Sequence, residues 1–246
     1  NVEGTANIVN LCLHHAVSKL IHISSIAALG RTKDRLDLDE KCQWVQSTDN
    51  STYALTKHLA EQEVWRGVAE GLSAVIVSPS VIVGSRSWDR GMAGFFRKID
   101  EGLTIVPTGQ SGFVDVRDVV NFMELMLQQD IAGERFILNA VNIPHRAFFA
   151  LIAKELGVSP PNILAGPFLV EVAWRVEWLK EKILGTVPMV TKEGARASVT
   201  NFKYHNEKSL TVPGFMYRPF EDTIADTAHQ FLEAKKDGYG VRVLDF

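Results

Sequence analysis

Tyr53 and Lys57 stand four residues apart in Ser51-Thr52-Tyr53-Ala54-Leu55-Thr56-Lys57. On a helix that spacing puts both side chains on one face, one turn apart. Leu55, Leu59 and Val64 recur at helical spacing, and no Pro or Gly interrupts before Gly67. An ammonium beside a phenol stabilises the phenolate, so the tyrosine gives up its proton more easily. A free phenol has a pKa of about 10, and lowering it towards neutrality makes a general acid/base. The alternative is a surface pair with no chemistry. The chain carries its own control, because Tyr204 and Lys208 share the spacing inside a polar stretch that Pro213-Gly214 soon ends. The second group of candidates is Ser24-Ser25, which closes the short apolar run Lys19-Leu20-Ile21-His22-Ile23. Serines at the carboxyl end of a parallel strand are placed to meet a substrate. The alternative is a turn in which both hydroxyls bond nearby backbone.

The elements that must position these groups alternate. Ala6 to Ala16 reads as a helix whose apolar stripe is supplied by Ile8, Leu11 and either Val9 or Cys12. The strand ending at Ser24-Ser25 follows, then the loop Ile26-Ala27-Ala28-Leu29-Gly30 and a polar, charged stretch from Arg31 to Asn50 over the site. The Tyr53 helix runs to about Glu70-Gly71, and Ser73 to Pro79 is a second buried strand. Helix, strand, loop, helix, strand is the order of a parallel α/β sheet with right-handed crossovers. Beyond Gly84 the expectations are a short helix from Ala93 to Gly102, and a helix from about Phe113 to Gln129 with Asp115 as a candidate cap. They continue with a strand at Glu134 to Leu138 and helices at Arg146–Leu156, Phe168–Leu184, Thr191–Ala197 and Glu221–Ala234.

The 246 residues are enough for one large domain or a domain with a smaller partner. Hydrophobic residues make up 46%, in keeping with a well-buried core. Acidic residues exceed basic ones, 29 against 26, which leaves no electrostatic footprint for nucleic acid or an anionic membrane. Cys12 and Cys42 form no metal-type pair, so no metal is expected and a reducing, cytoplasmic setting is. The nearest thing to a membrane span, Gly166 to Leu179, is broken by Glu171, Arg175 and Glu177.

Taken together and in order, the motifs resemble the extended short-chain dehydrogenase/reductases, the NAD-dependent epimerase/dehydratase family. The matching pieces are Asn1-Val2-Glu3-Gly4-Thr5, the strand ending His22-Ile23-Ser24-Ser25, Tyr53-x-x-x-Lys57, and Pro79-Ser80-Val81-Ile82-Val83-Gly84. Phe113-Val114-Asp115-Val116-Arg117-Asp118-Val119 and Pro219-Phe220-Glu221-Asp222-Thr223-Ile224 complete the set. The resemblance implies a Rossmann-like, doubly wound parallel sheet with a smaller, mostly helical substrate lobe. It implies that residues 1–84 and about 113–140 belong to the NAD(P)-binding domain, about 85–112 and 141–220 to the substrate lobe, and 221–246 to a C-terminal helix and tail. Tyr53 is then the acid/base, Lys57 bonds the nicotinamide ribose, and Ser25 holds the substrate oxygen beside Ser24. Pro79, Ser80 and Val81 meet the nicotinamide, and the cofactor is NAD or NADP. The partner is a small-molecule substrate, and the chain forms a homodimer through the helices near Asn7–Ala16 and Tyr53–Glu70, with Leu59, Val64, Trp65 and Val68 offering more than one apolar stripe.

The departures from the family pattern carry expectations of their own. No G-x-x-G-x-x-G follows a strand; Gly91-x-x-Gly94 follows a loop. With Asn1 as the first residue, the expected picture is a sheet lacking its first strands, in a fragment that binds cofactor poorly, aggregates and is inactive. Leu29 stands where nucleotide-sugar members carry an aromatic, which favours the branch resembling dihydroflavonol reductases and hydroxysteroid dehydrogenases. Three functions compete: a ketone or aldehyde reductase (or the matching alcohol dehydrogenase), a nucleotide-sugar epimerase or dehydratase using the same trio, and a cofactor-binding protein without turnover. Relatives of the last kind usually lose the Tyr or the Lys, and this chain keeps both. Phe95, Phe96, Phe148, Phe149, Trp174 and Trp178 make the substrate lobe aromatic, with core packing as the expected role for most of them.

Overall fold

The computed structural model describes residues 1–30, 32, 35–47, 50–184 and 192–239. In chain order the elements are α1 (Val2–His14), β1 (Leu20–Ile23), a 3-10 turn at Ile26–Leu29, β2 (Asp37–Leu38), α2 (Thr52–Ala69) and β3 (Ala74–Pro79). Then come β4 (Val81–Val83), α3 (Ala93–Asp100), β5 (Ile105–Pro107), β6 (Gln110–Asp115), α4 (Val116–Gln128) and β7 (Glu134–Leu138). The chain continues through β8 (Val141–Pro144), α5 (His145–Leu156), β9 (Ile163–Ala165), α6 (Pro167–Leu184) and α7 (Lys192–Ser198). It closes with β10 (Lys203–Tyr204), α8 (Glu207–Leu210) and α9 (Phe220–Lys236). Thr191 and the tail after Tyr239 lie outside the described residues, as do Arg31, Lys33, Asp34, Thr48 and Asp49 of the expected polar loop.

The chain divides into two compact units, each made of three separate segments. The first unit comprises Asn1–Ser80, Arg117–Ala140 and Phe202–Tyr217. Its centre is the parallel sheet β1-β3-β7, with Ile23 opposite Val77 and Pro79 opposite Leu138. Every residue of β3 is buried, as expected of a central parallel strand. Alternate residues of β3 serve opposite faces. Ala74 and Ile76 join Val9, Cys12 and Val64 in a core under α1 and α2. That layer is thin where the helices approach: a Cβ at Gly67 would lie 2.6 Å from Val9 Cγ1. On β7, Phe136 meets Phe122 of α4, which in turn meets Phe215 edge-on. Residues 202–217, expected from sequence in the substrate lobe, belong to this unit because β10 pairs with β2, Lys203 opposite Asp37.

The second unit comprises Val81–Val116, Val141–Asn201 and Arg218–Phe246. Phe113-Val114-Asp115 does not start a helix as expected. It ends β6, a central strand that pairs in parallel with β4 and antiparallel with β8. The last four residues of β6 are buried, and α4 begins only at Val116. Burial between two partner strands overrides the helical pattern read from the sequence. The turn before β6 needs a glycine, since a Cβ at Gly109 would sit 2.5 Å from the Ser198 carbonyl oxygen. Of the lobe's aromatics, Phe96, Phe148 and Phe149 are core residues and Phe95 packs against that core, whereas Trp178 is 48% exposed.

Candidate active site

Tyr53 and Lys57 do share a helix. Ser51 caps α2, its side chain accepting from Ala54 N at 3.1 Å, and this satisfies one of the helix's free amide groups. Tyr53 therefore sits in the first turn, with 52% of its surface exposed. Lys57, one turn on, is half-buried, and its Nζ donates to the Ile23 carbonyl at 3.0 Å. Ile23 is the last residue of β1, so the ammonium is fixed at the carboxyl end of that strand, where Ser24 and Ser25 follow. Burial holds the Lys57 pKa below the usual lysine value, while the Glu61 carboxylate pulls it back up.

The two serines separate in role. Ser25 Oγ accepts from Ala27 N at 3.2 Å and caps the 3-10 turn, so the turn reading holds for this hydroxyl. Ser24 is buried, its backbone amide donates to Val77 O at 2.7 Å, and its Oγ has no partner among the described residues. Pro79 ends β3, and Ser80 N donates to Leu138 O at 2.8 Å. The Ser80 hydroxyl is likewise buried without a partner among the described residues. Two orphaned hydroxyls thus lie just past the ends of neighbouring parallel strands, where buried polar atoms otherwise find partners. Val81 follows as the first residue of β4 and of the second unit.

His22, on β1, has its pKa pushed down to about 4, first by burial and then by the Lys57 ammonium. Its Nε2 is buried with no partner among the described residues. The unfolded imidazole takes up its proton near pH 6.5 and the folded one only near 4, so this group's contribution is full above about 6.5 and is lost as the pH falls towards 4. The loss is on the order of 3 kcal/mol. Denaturant unfolding at pH 7 and pH 4.5 is expected to show a larger drop in stability for the parent than for His22→Leu. Equal drops would mean that His22 titrates as it does in the unfolded chain.

The control pair does not share a helix. Tyr204 lies in β10 and is 1% exposed, while Lys208 lies in α8 and donates to Glu134 Oε2 and Arg135 O, both at 2.6 Å. Tyr204→Phe is expected to leave turnover nearly unchanged, as steady-state rates would establish. A cleft of about 790 Å³ in the first unit, lined among others by Glu40, Cys42, Trp65, Arg135 and His205, contains none of the expected site residues. Among the described residues no cluster of three His, Cys, Asp or Glu is placed to hold a metal, and no helix is long and apolar enough to cross a membrane.

Glu61 was not singled out from the sequence. It is 1% exposed, pairs with Arg135 at 3.1 Å and accepts from Ser78 Oγ at 3.4 Å. Its signal was its position, one further turn along the face that bears Tyr53 and Lys57.

Residues 1–142 match the model of the NAD dependent epimerase/dehydratase family. The chain is 28% identical over 245 residues to the "Putative dihydroflavonol 4-reductase" of a Synechocystis species, covering 94% of this chain and 69% of that protein. It is 24% identical to 3beta-hydroxysteroid-dehydrogenase/decarboxylase isoform 1 of Arabidopsis thaliana, covering 96% of this chain and 58% of that one. Among solved structures, the crystal structure of gox2253 superposes with a TM-score of 0.77 at 32% identity, over 95% of this chain and 72% of the other. The dTDP-glucose 4,6-dehydratase DesIV of Streptomyces venezuelae, with NAD and TYD bound, superposes at 0.72 with 17% identity over 96% of this chain and 66% of the other, a likeness of fold.

Proposed function

Since the chain belongs to the NAD dependent epimerase/dehydratase family, we propose that it is an NAD- or NADP-dependent oxidoreductase that reduces a ketone or aldehyde, or oxidises the matching alcohol. The observation that carries this reading is the bond from Lys57 Nζ to Ile23 O, which places the ammonium at the end of β1 beside Ser24-Ser25 and one turn from Tyr53. Tyr53 gives a proton to the substrate oxygen or takes it back, at its phenolic oxygen. Ser25 orients that oxygen once its hydroxyl turns from the Ala27 amide. Lys57 keeps one donor on Ile23 and has two left for a ribose hydroxyl. The nicotinamide is assigned to the strand ends at Ser24, Pro79 and Ser80, with Val81 next in sequence, and the Ser24 and Ser80 hydroxyls, buried without a partner among the described residues, are the groups to bond it. A bound nicotinamide supplies hydride acceptance and donation.

The substrate is a small molecule, with a carbonyl class in keeping with the reductase and dehydrogenase names of the curated relatives. The thiols of Cys12 and Cys42 are unpaired, which fits a reducing, cytoplasmic setting. A panel of ketones, aldehydes and alcohols, followed by NAD(P)H absorbance on the full-length gene product, tests the reading. Stoichiometric consumption of cofactor supports an oxidoreductase, and turnover of a nucleotide sugar with none consumed overturns it in favour of an epimerase or dehydratase.

A homodimer through α1 and α2 belongs to the same proposal. Val64, Trp65 and Val68 turn out to serve the core beneath the helices. The outward apolar groups are Ile8 and Leu11 on α1, 50% and 52% exposed, and Leu59 on α2, 41% exposed. Light scattering of the full-length protein is expected to give twice the monomer mass. A monomer at micromolar concentration, or a dimer unaffected by Leu11→Glu, argues against this face.

A further inference from the structure

We propose that Glu61 is a positioning residue for the Tyr53–Lys57 pair: clamped by Arg135 and Ser78, it fixes which face of α2 is turned towards the ends of β1 and β3. The proposal rests on the functional reading above. Tyr53, Lys57 and Glu61 stand at i, i+4 and i+8, a single stripe along α2. The stripe runs from an exposed phenol, through a half-buried ammonium, to a carboxylate that is 1% exposed. Its inner end is bolted directly to two other elements of the first unit, and through one of them to a third stretch. Ser78 of β3 donates to Glu61 Oε1 at 3.4 Å, and Arg135 Nη1 of β7 donates to Glu61 Oε2 at 3.1 Å. The same guanidinium donates through Nη2 to the carbonyls of Glu40 and Cys42. Glu40 returns the contact, its Oε1 accepting from Ile137 N at 2.9 Å.

A buried ion pair is a poor way to gain stability, because apolar side chains of similar volume do as well or better. It is a good way to fix rotation. Successive residues of a helix differ by about 100° in direction, so a shift of one residue removes the carboxylate from both donors. Held this way, α2 has one rotational setting, and Tyr53 and Lys57 inherit it. The groups facing Lys57 are Glu61 on its own helix and His22 from β1, while Arg135 faces Glu61 and His58 from β7. Glu61 therefore also supplies the anion in the field of the ammonium.

Glu61→Gln in the full-length protein tests the proposal, with three readouts: kcat and KM separately, thermal unfolding, and the titration of Lys57 followed by NMR of its ε-carbon. The expected result is kcat lowered by about tenfold or more with KM within about threefold. Lys57 should lose its proton at a lower pH, because the anion beside it is gone, and Glu61→Asp should recover part of the rate. If Glu61→Gln does not fold, Glu61→Leu combined with Arg135→Met removes both buried charges and is expected to fold while giving the same displaced titration. A folded variant of either kind with parental kcat and parental Lys57 titration, changed only in melting temperature, overturns the proposal. Failure of the functional reading looks different: Tyr53→Phe keeps its turnover while the Lys57 titration still moves in Glu61→Gln.

Discussion

Tyr53→Phe is expected to lower kcat by about 10²–10⁴ while leaving the fold intact. The side chain is 52% exposed in the first turn of α2, so the substitution removes a hydroxyl without opening a cavity. The cap at Ser51 is made by another side chain and survives. Lys57 keeps its bond to Ile23 O, so the positive end of the site stays in place. What is lost is the proton carried to or from the substrate oxygen, and the loss should fall on kcat rather than on cofactor affinity. Circular dichroism and melting temperature should match the parent. Near-normal turnover by the Phe variant of the full-length protein would remove Tyr53 from the mechanism.

The largest effect on stability is expected from Arg135→Ala, about 3–5 kcal/mol. The substitution leaves Glu61 buried with Ser78 as its remaining side-chain hydrogen-bond donor among the described residues, and strips a donor from the carbonyls of Glu40 and Cys42. An uncompensated buried carboxylate is the costly part. Removing Arg66, whose bonds to Glu63 and Glu70 lie at the surface, should change little and serves as the control. Denaturant unfolding of both variants decides the matter: equal losses would mean that burial adds nothing to the Arg135–Glu61 pair. Glu61→Leu with Arg135→Met should be more stable than Arg135→Ala alone, since it removes the orphan.

Much of the first unit was legible in the sequence because its signals are local. The apolar runs of β1, β3 and β7 are compact, and α2 declares itself through its period and through Ser51. The remaining strands were illegible because most are short and their partners lie far along the chain. β5 pairs with β9, Ile105 opposite Ile163, and neither is long enough to display alternation. β6 was read as the start of a helix because the pattern around Phe113 says nothing about strands on either side of it. The same division holds in the site. The position of Ser24-Ser25 follows from where an apolar run stops, but the cap that occupies Ser25 and the burial of the Ser24 hydroxyl without a partner among the described residues depend on turn geometry and on neighbouring strands. Glu61 is on the visible stripe, yet its partner Arg135 is 74 residues away, and no local pattern links two charges at that separation.

The discontinuity of the two units governs how the chain must emerge from a ribosome. Once Ser80 has been made, β1 and β3 can pair, yet β7, the neighbour on the far side of β3, begins only at Glu134. At a synthesis rate of roughly 5–20 residues per second, the intervening stretch keeps that edge of a wholly buried strand waiting for about 3–10 s. The wait lengthens for the segment from Phe202 to Tyr217, which completes the first unit, and α9 must follow before the second is whole. Nascent chains stalled between residues 85 and 130 should therefore recruit holdase chaperones most strongly, and slow codons placed there should raise insoluble yield without altering a single native contact.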